Sequence, residues 1–120
     1  MRIPTERIEC INLMKWARLM KLPLIHISNE GKRTPWGGAD LKAQGLTPGV
    51  SDFFLARASR GYHGLWIEMK RRKGGILTQL QEEWLQKMHL EGYCTSVCYG
   101  WSHAKECIEH YLNIVPRETI

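Results

Sequence analysis

Seven blocks of apolar residues punctuate the chain, and the period within them changes from one to the next. From Glu6 to about Lys21, residues Ile8, Cys10, Ile11, Leu13, Met14, Ala17 and Met20 recur at helical spacing behind Thr5, a residue suited to an N-cap. Pro23 ends that helix, and Leu24 to Ile27 is a short apolar run of strand type. Val50 to Ala56 and Leu65 to Lys70 predict second and third strands, linked by a turn or hairpin over Arg57 to Gly64. Helical spacing returns over Thr78 to Glu91, with Leu80, Trp84, Leu85 and Met88 on one stripe and Gly92 closing the helix. Thr95 to Tyr99 predicts a fourth strand. Ser102 is placed to cap a last helix to about Leu112, and Val115 to Ile120 reads as a fraying tail.

The order α-β-β-β-α-β-α predicts an α/β fold with a mixed central sheet flanked by helices. A short link between the second and third strands suits antiparallel pairing, whereas the fourth strand follows a helical crossover. Residues 29–49 hold five glycines and two prolines and predict a loop with one helical turn near Ala39 to Ala43. A loop of that length inside a small domain is uncommon unless it serves a function. The 120 residues, 43% of them apolar, match one globular domain with a core from about Thr5 to Leu112.

Within the strand "GLWIEMK", Leu65, Ile67 and Met69 point to one face while Trp66, Glu68 and Lys70 point to the other. Glu68 and Lys70 are thus neighbours, roughly 6 to 7 Å apart along the strand. Asp52 opens the preceding strand after Pro48-Gly49, and hairpin pairing brings its carboxylate beside Glu68. Two carboxylates at close range raise one another's proton affinity unless a cation lies between them. Hard oxygen ligands of this kind suit Mg²⁺ or Mn²⁺, which polarises a phosphodiester, and an adjacent lysine serves an attacking water or growing negative charge. The competing interpretation is an exposed Glu68–Lys70 ion pair on a solvated sheet face.

Charge sharpens this picture modestly. Lysine and arginine outnumber acids 17 to 12, a net +5 that favours phosphate-bearing or acidic partners. Arg71, Arg72 and Lys73 follow the candidate lysine, and Lys32 and Arg33 lie in the glycine-rich loop; both clusters are placed to contact phosphates. Trp36 in that loop is a candidate nucleic-acid contact, whereas Trp16 and Trp84 fall on helical apolar stripes and predict core packing. The four cysteines lack metal-ligand spacing and are expected as free thiols. No apolar run of about 18 residues and no secretion-signal pattern occurs, so a cytoplasmic protein without a membrane partner is expected.

Taken together, "TERIEC", "HISNEGKR", "GLTPGVSDFFLA", "GLWIEMKRRKGG", "LTQLQEEWLQKMHLEGY" and "IEHYL" resemble the PD-(D/E)XK nuclease superfamily. Within it they resemble the virus-type replication-repair nuclease group, VRR-NUC, in its small stand-alone phage and bacterial form. The resemblance runs from about Thr5 to Leu112. It implies a restriction-endonuclease-like core in which Asp52, Glu68 and the backbone carbonyl of Met69 hold the metal and Lys70 is the catalytic lysine. The helical glutamate of the family falls on Glu6, with Glu9 one turn away as the alternative, because Cys10 stands where relatives often have glutamine. Gln81 matches a helical glutamine near the lysine, and Asn29 a recurrent loop asparagine. Ser51 replaces the proline of the family's "PD".

What the resemblance implies is a Mg²⁺- or Mn²⁺-dependent endonuclease without a small-molecule cofactor, cutting branched DNA such as four-way junctions as a homodimer. An inactive DNA-binding module of the same fold, or a restriction-like or RNA-cutting nuclease, are the alternatives. Gln81 also completes a capping box with Thr78, which calls for a different rotamer from a contact to Lys70.

Overall fold

The computed structural model describes residues 2–27 and 40–114. Its elements are α1 (Glu6–Leu19), β1 (Leu24–His26), β2 (Phe53–Leu55), β3 (Leu65–Lys70), α2 (Gln79–Leu90), β4 (Cys94–Tyr99) and α3 (Trp101–Leu112), in the expected order. Residues 40–43 add one helical turn. Asn29, Lys32, Arg33, Trp36 and the tail from Val115 lie outside the described residues.

One sheet of order β1-β2-β3-β4 carries the fold. Its first two joins are antiparallel and the β3–β4 join is parallel, the mixed topology anticipated from the link lengths. At the tip between β2 and β3, Arg60 and Gly61 both adopt positive φ, 53° and 83°, inside a Ser59↔Tyr62 bridge. Two such residues give the primed turn whose twist matches that of paired strands. The parallel join needs a long crossover, and α2 supplies it.

Strand alternation divides the packing in two. Phe53, Leu55, Leu65, Ile67, Met69 and Cys98 face a core closed by α1 through Leu13 and Ala17 and by α3 through Ala104, Ile108 and Tyr111. Burying each large aliphatic or aromatic group there contributes about 1.5–3 kcal/mol. α2 covers the opposite face, where Trp66 meets Trp84 edge to face at 5.3 Å and Phe54 lies 4.6 Å from Trp66. The four cysteines carry free thiols.

Three local expectations are corrected. β2 is three residues long rather than seven, because the next inter-strand amide after the Phe53↔Ile67 pair, that of Met69, is taken by the Asp52 side chain instead of the β2 backbone. Leu80 lies exposed at the first turn of α2, off the buried stripe, with its carbonyl and Cβ against the Gly49 turn rather than in the core. Ser102 does not cap α3: the helix begins at Trp101 after Gly100, with no cap from a side chain of its own N-cap residue.

That terminus is served instead from α1. Glu9 is fully buried, accepts from the Trp101 N–H at 3.4 Å, and forms a two-point pair with Arg72, Nε to Oε2 at 2.8 Å and Nη2 to Oε1 at 3.3 Å. A carboxylate at a helix N-terminus satisfies an orphan amide and meets the positive end of the dipole. Gly100, at φ +91°, makes room: a Cβ there would sit 2.8 Å from both Arg72 Nε and Glu9 Oε2. Glu9 thus ties α1 to the exit of β3 and the start of α3.

Removing the arginine leaves a buried carboxylate with one long hydrogen bond. Arg72→Ala should therefore lower the unfolding free energy by about 2 kcal/mol or more, read as an earlier urea midpoint at constant slope. An unchanged midpoint would show that Glu9 is satisfied without it.

Candidate active site

The site forms where the β2–β3 ladder stops. Continuing the register by one position from Phe53↔Ile67 sets Asp52 across from Glu68. The Met69 N–H donates to Asp52 Oδ2 at 2.8 Å, so the aspartate is fixed to the neighbouring strand by the amide next to Glu68. Alternation puts Glu68 on the α2 side of the sheet, and Asp52, just ahead of β2, reaches between the strands to meet it. The glutamate is 1% exposed and Lys70 7%, which sets aside an ion pair on a solvated face. Lys70 Nζ lies 4.0 Å from Glu68 Oε2, a loose approach.

Burial pushes the Glu68 carboxyl up to about 9. A hydrogen bond to Asp52 and the charge of that aspartate add to the rise, Lys70 opposes it, and Glu6 adds a further repulsion. Among the described residues Glu68 Oε1 has no hydrogen-bond partner, although it is buried. Such an orphaned acceptor costs about 1–3 kcal/mol unless something occupies it, more when charged.

Lys70 is aimed by α2. Its Nζ donates to Gln81 Oε1 at 2.8 Å, and the same oxygen accepts from the Thr78 N–H at 3.0 Å. Thr78 Oγ1 in turn accepts from the Gln81 N–H at 3.2 Å, completing the capping box. Cap and lysine contact, expected to need different rotamers, are made by one rotamer, because a carbonyl oxygen has two lone pairs. The Gly49 turn seats that end of α2: with φ +89° it lets the Leu80 carbonyl approach to where a Cβ would lie 2.5 Å from the oxygen. A side chain at Gly49 would push the helix start, and Gln81 with it, away from Lys70.

The two helical glutamates separate cleanly. Glu6 is half-buried, borders the same open groove as Asp52 and is close enough to raise Glu68. Glu9, the alternative, is corrected to a structural position, since Arg72 and Trp101 occupy its oxygens. The same pair takes two of the five N–H donors of Arg72, whose side chain stays 47% exposed. Arg71 and Lys73 are exposed just beyond β3.

Sequence reasoning treated α1 as an apolar stripe and missed its other face. Arg7, Lys15 and Arg18 line a groove of about 910 Å³ between α1 and β1 that carries Glu6 and Asp52 in its wall. Their spacing of eight and three residues was a visible signal of one helical face.

Among the described residues, no three His, Cys, Asp or Glu side chains converge into a closed metal cage. Two carboxylates, one with a buried unpartnered oxygen, still fit a Mg²⁺-type ion. Such an ion keeps several waters and takes only one or two protein carboxylates beside a phosphate.

Comparison with known proteins agrees with the fold. The model of the VRR-NUC domain family matches residues 6–102, a span that holds Glu6, Asp52, Glu68, Lys70 and Gln81. A solved structure described as a VRR_NUC domain protein superposes with a TM-score of 0.82 at 25% identity, covering 95% of this chain and 93% of that one. No functionally curated protein matches the sequence. With most of its length under the family model and the same fold in a solved relative, this chain belongs to the VRR-NUC domain family and has its nuclease-type fold.

Proposed function

We propose that the protein is a divalent-metal-dependent endonuclease that hydrolyses DNA phosphodiester bonds, acting as a homodimer on branched DNA such as four-way junctions. The observation that carries the catalytic part is the facing of Asp52 and Glu68 at the end of the β2–β3 ladder, with Lys70 held beside them by Gln81. Membership of the VRR-NUC family supports the choice of nucleic acid as substrate.

Asp52, Glu68 and the Met69 backbone carbonyl would hold Mg²⁺ or Mn²⁺, with Glu6 supporting from α1. The ion supplies positive charge that offsets the two carboxylates and polarises the phosphodiester. Lys70, while it donates one proton to Gln81, keeps two N–H bonds for a nucleophilic water or for the charge that grows on the phosphoryl oxygens. Gln81 keeps that ammonium from collapsing onto Glu68. Exposed Arg71 and Lys73 would contact flanking phosphates. A junction requires two incisions, and a two-fold dimer offers two sites at a fixed separation. If the fold is instead an inactive binding module, junction DNA is bound but left whole in Mg²⁺ and Mn²⁺; a panel of junction, flap, duplex and RNA substrates with and without EDTA separates these cases.

Asp52→Asn and Glu68→Gln should each reduce cleavage of junction DNA by about 10³-fold or more while the circular dichroism spectrum is kept. Parent-like cutting by both would remove the metal-site assignment. Gln81→Leu should lower kcat about 10- to 100-fold with a smaller change in KM, since it frees the lysine without removing it; an equal rise in KM at constant kcat would assign Gln81 to substrate binding instead.

The raised Glu68 carboxyl gives a pH dependence of stability whose sign follows from linkage. Between about 4.5, where the unfolded chain loses this proton, and about 9, where the folded chain does, the folded state binds more protons, so stability falls as pH rises. A divalent ion binding the ionised pair should offset that loss. The Tm gained on adding Mn²⁺ should therefore grow from pH 5 to pH 8 in the parent and vanish in Glu68→Gln, measured by thermal unfolding; a Tm gain that persists in the variant would place the ion elsewhere.

A further inference from the structure

The groove between α1 and β1 is chemically lopsided. Arg7, Lys15 and Arg18 share one face of α1 with Ile11 and Met14, and among the described residues none of the three cations has an ion-pair partner. From Arg7 to Arg18 this row is about 16 Å long, at 1.5 Å per residue. The opposite wall is the sheet-edge strand β1, where nearly buried Leu24 and the exposed ring of His26 turn to the α1 side, while Ile25, across from Phe54, turns to the other face of the sheet. At one end stand Glu6, at the start of α1, and Asp52, whose carbonyl accepts from the Ile27 N–H at 2.7 Å. The far end is marked by Arg18 and Leu24.

Three occupants can be weighed on charge and polarity. A second copy of the chain, brought onto this face by a two-fold axis, would set the same three cations against their equivalents, a like-charge contact. A B-form duplex carries phosphates on both of its strands, so one backbone would press against the β1 wall, which carries no Lys or Arg, and lose hydration without a partner. A single strand presents phosphates on one side and base faces on the other, and matches both walls at once: ammonium and guanidinium groups on α1, the imidazole of His26 on β1.

We infer that the α1–β1 groove binds an unpaired DNA strand running from the Asp52–Glu6 end, with its phosphates on Arg7, Lys15 and Arg18 and its bases against the ring of His26. This rests on the nuclease proposal for the site at the groove's end and narrows it within branched DNA: the favoured substrate has a single-stranded arm next to the scissile bond, as a flap does, rather than the four paired arms of a junction.

The test is equilibrium binding in EDTA, followed by fluorescence anisotropy, of a 12-nucleotide single strand and a 12-base-pair duplex across a salt series. Binding is thereby read independently of cutting, so loss of the nuclease reading, seen as no cleavage of any DNA in Mn²⁺, is distinct from loss of this one. For Arg7→Gln/Lys15→Gln/Arg18→Gln, the log–log salt slope for the single strand should fall by about 2, at roughly 0.7 per phosphate contact, and the affinity at 0.1 M salt should drop at least about tenfold. His26→Ala should weaken the single strand several-fold and leave the duplex unchanged. These positions are exposed, and matched circular dichroism and Tm confirm folding; should the triple variant misfold, Lys15→Gln and Arg18→Gln singly should each reduce the slope by roughly 0.7. Parent-like slopes in the variants overturn the proposal, as does equal weakening of strand and duplex. A change of oligomeric state by sedimentation in the triple variant would also overturn it, by showing the groove to be a subunit contact.

Discussion

Two carboxylates that repel one another are held together by the backbone of a sheet. Asp52 cannot move off, because its Oδ2 replaces the β2 backbone as acceptor for the Met69 amide. Glu68 cannot turn outward, because the alternation that buries Leu65, Ile67 and Met69 on the core side commits it to the opposite face under α2. The hydrophobic core thus supplies the restraint that keeps an electrostatically unfavourable pair in place. The lysine, its glutamine and the glycine turn beneath α2 are arranged around that pair.

A second tie acts at the rear. Glu9 is as deeply buried as any core side chain, yet it serves architecture, capping α3 and pairing with Arg72. Two glutamates three residues apart on α1 therefore have separate tasks, one facing the groove and one sealing the join of α1, β3 and α3. Only the glutamate of this pair is buried, and a buried carboxylate needs its partners in place: Arg72 reaches in from a half-exposed position to supply two of them.

Much of this was legible in the sequence. Strand alternation placed Glu68 and Lys70 on one face, and a hairpin-length link placed Asp52 opposite, because both follow from local geometry and short connections. The capping box was legible for the same reason. What was not legible depends on contacts distant in sequence. Ser102 looked like a cap because nothing nearby announces that Glu9, 92 positions before Trp101, already fills that role. The pairing of Arg72 with Glu9 was hidden for the same reason, since 63 positions separate them and the basic run of Arg71, Arg72 and Lys73 does not single it out. Gln81 was assigned to one of two partners because rotamer reasoning from the chain alone does not reveal that both donors approach the same oxygen from different sides. The length of β2 was overestimated because a side chain substituting for backbone in a ladder leaves no periodic trace.

The sharing of Gln81 Oε1 between the Thr78 amide and Lys70 Nζ couples two processes usually considered apart. Helix ends fray on fast timescales, and here the fraying end carries the group that aims the ammonium. Each transient unwinding of that first turn is also a moment in which the lysine is unsupported. The fraction of molecules in working order is then bounded by a local helix–coil equilibrium, and so would decline on warming well before the sheet itself gives way.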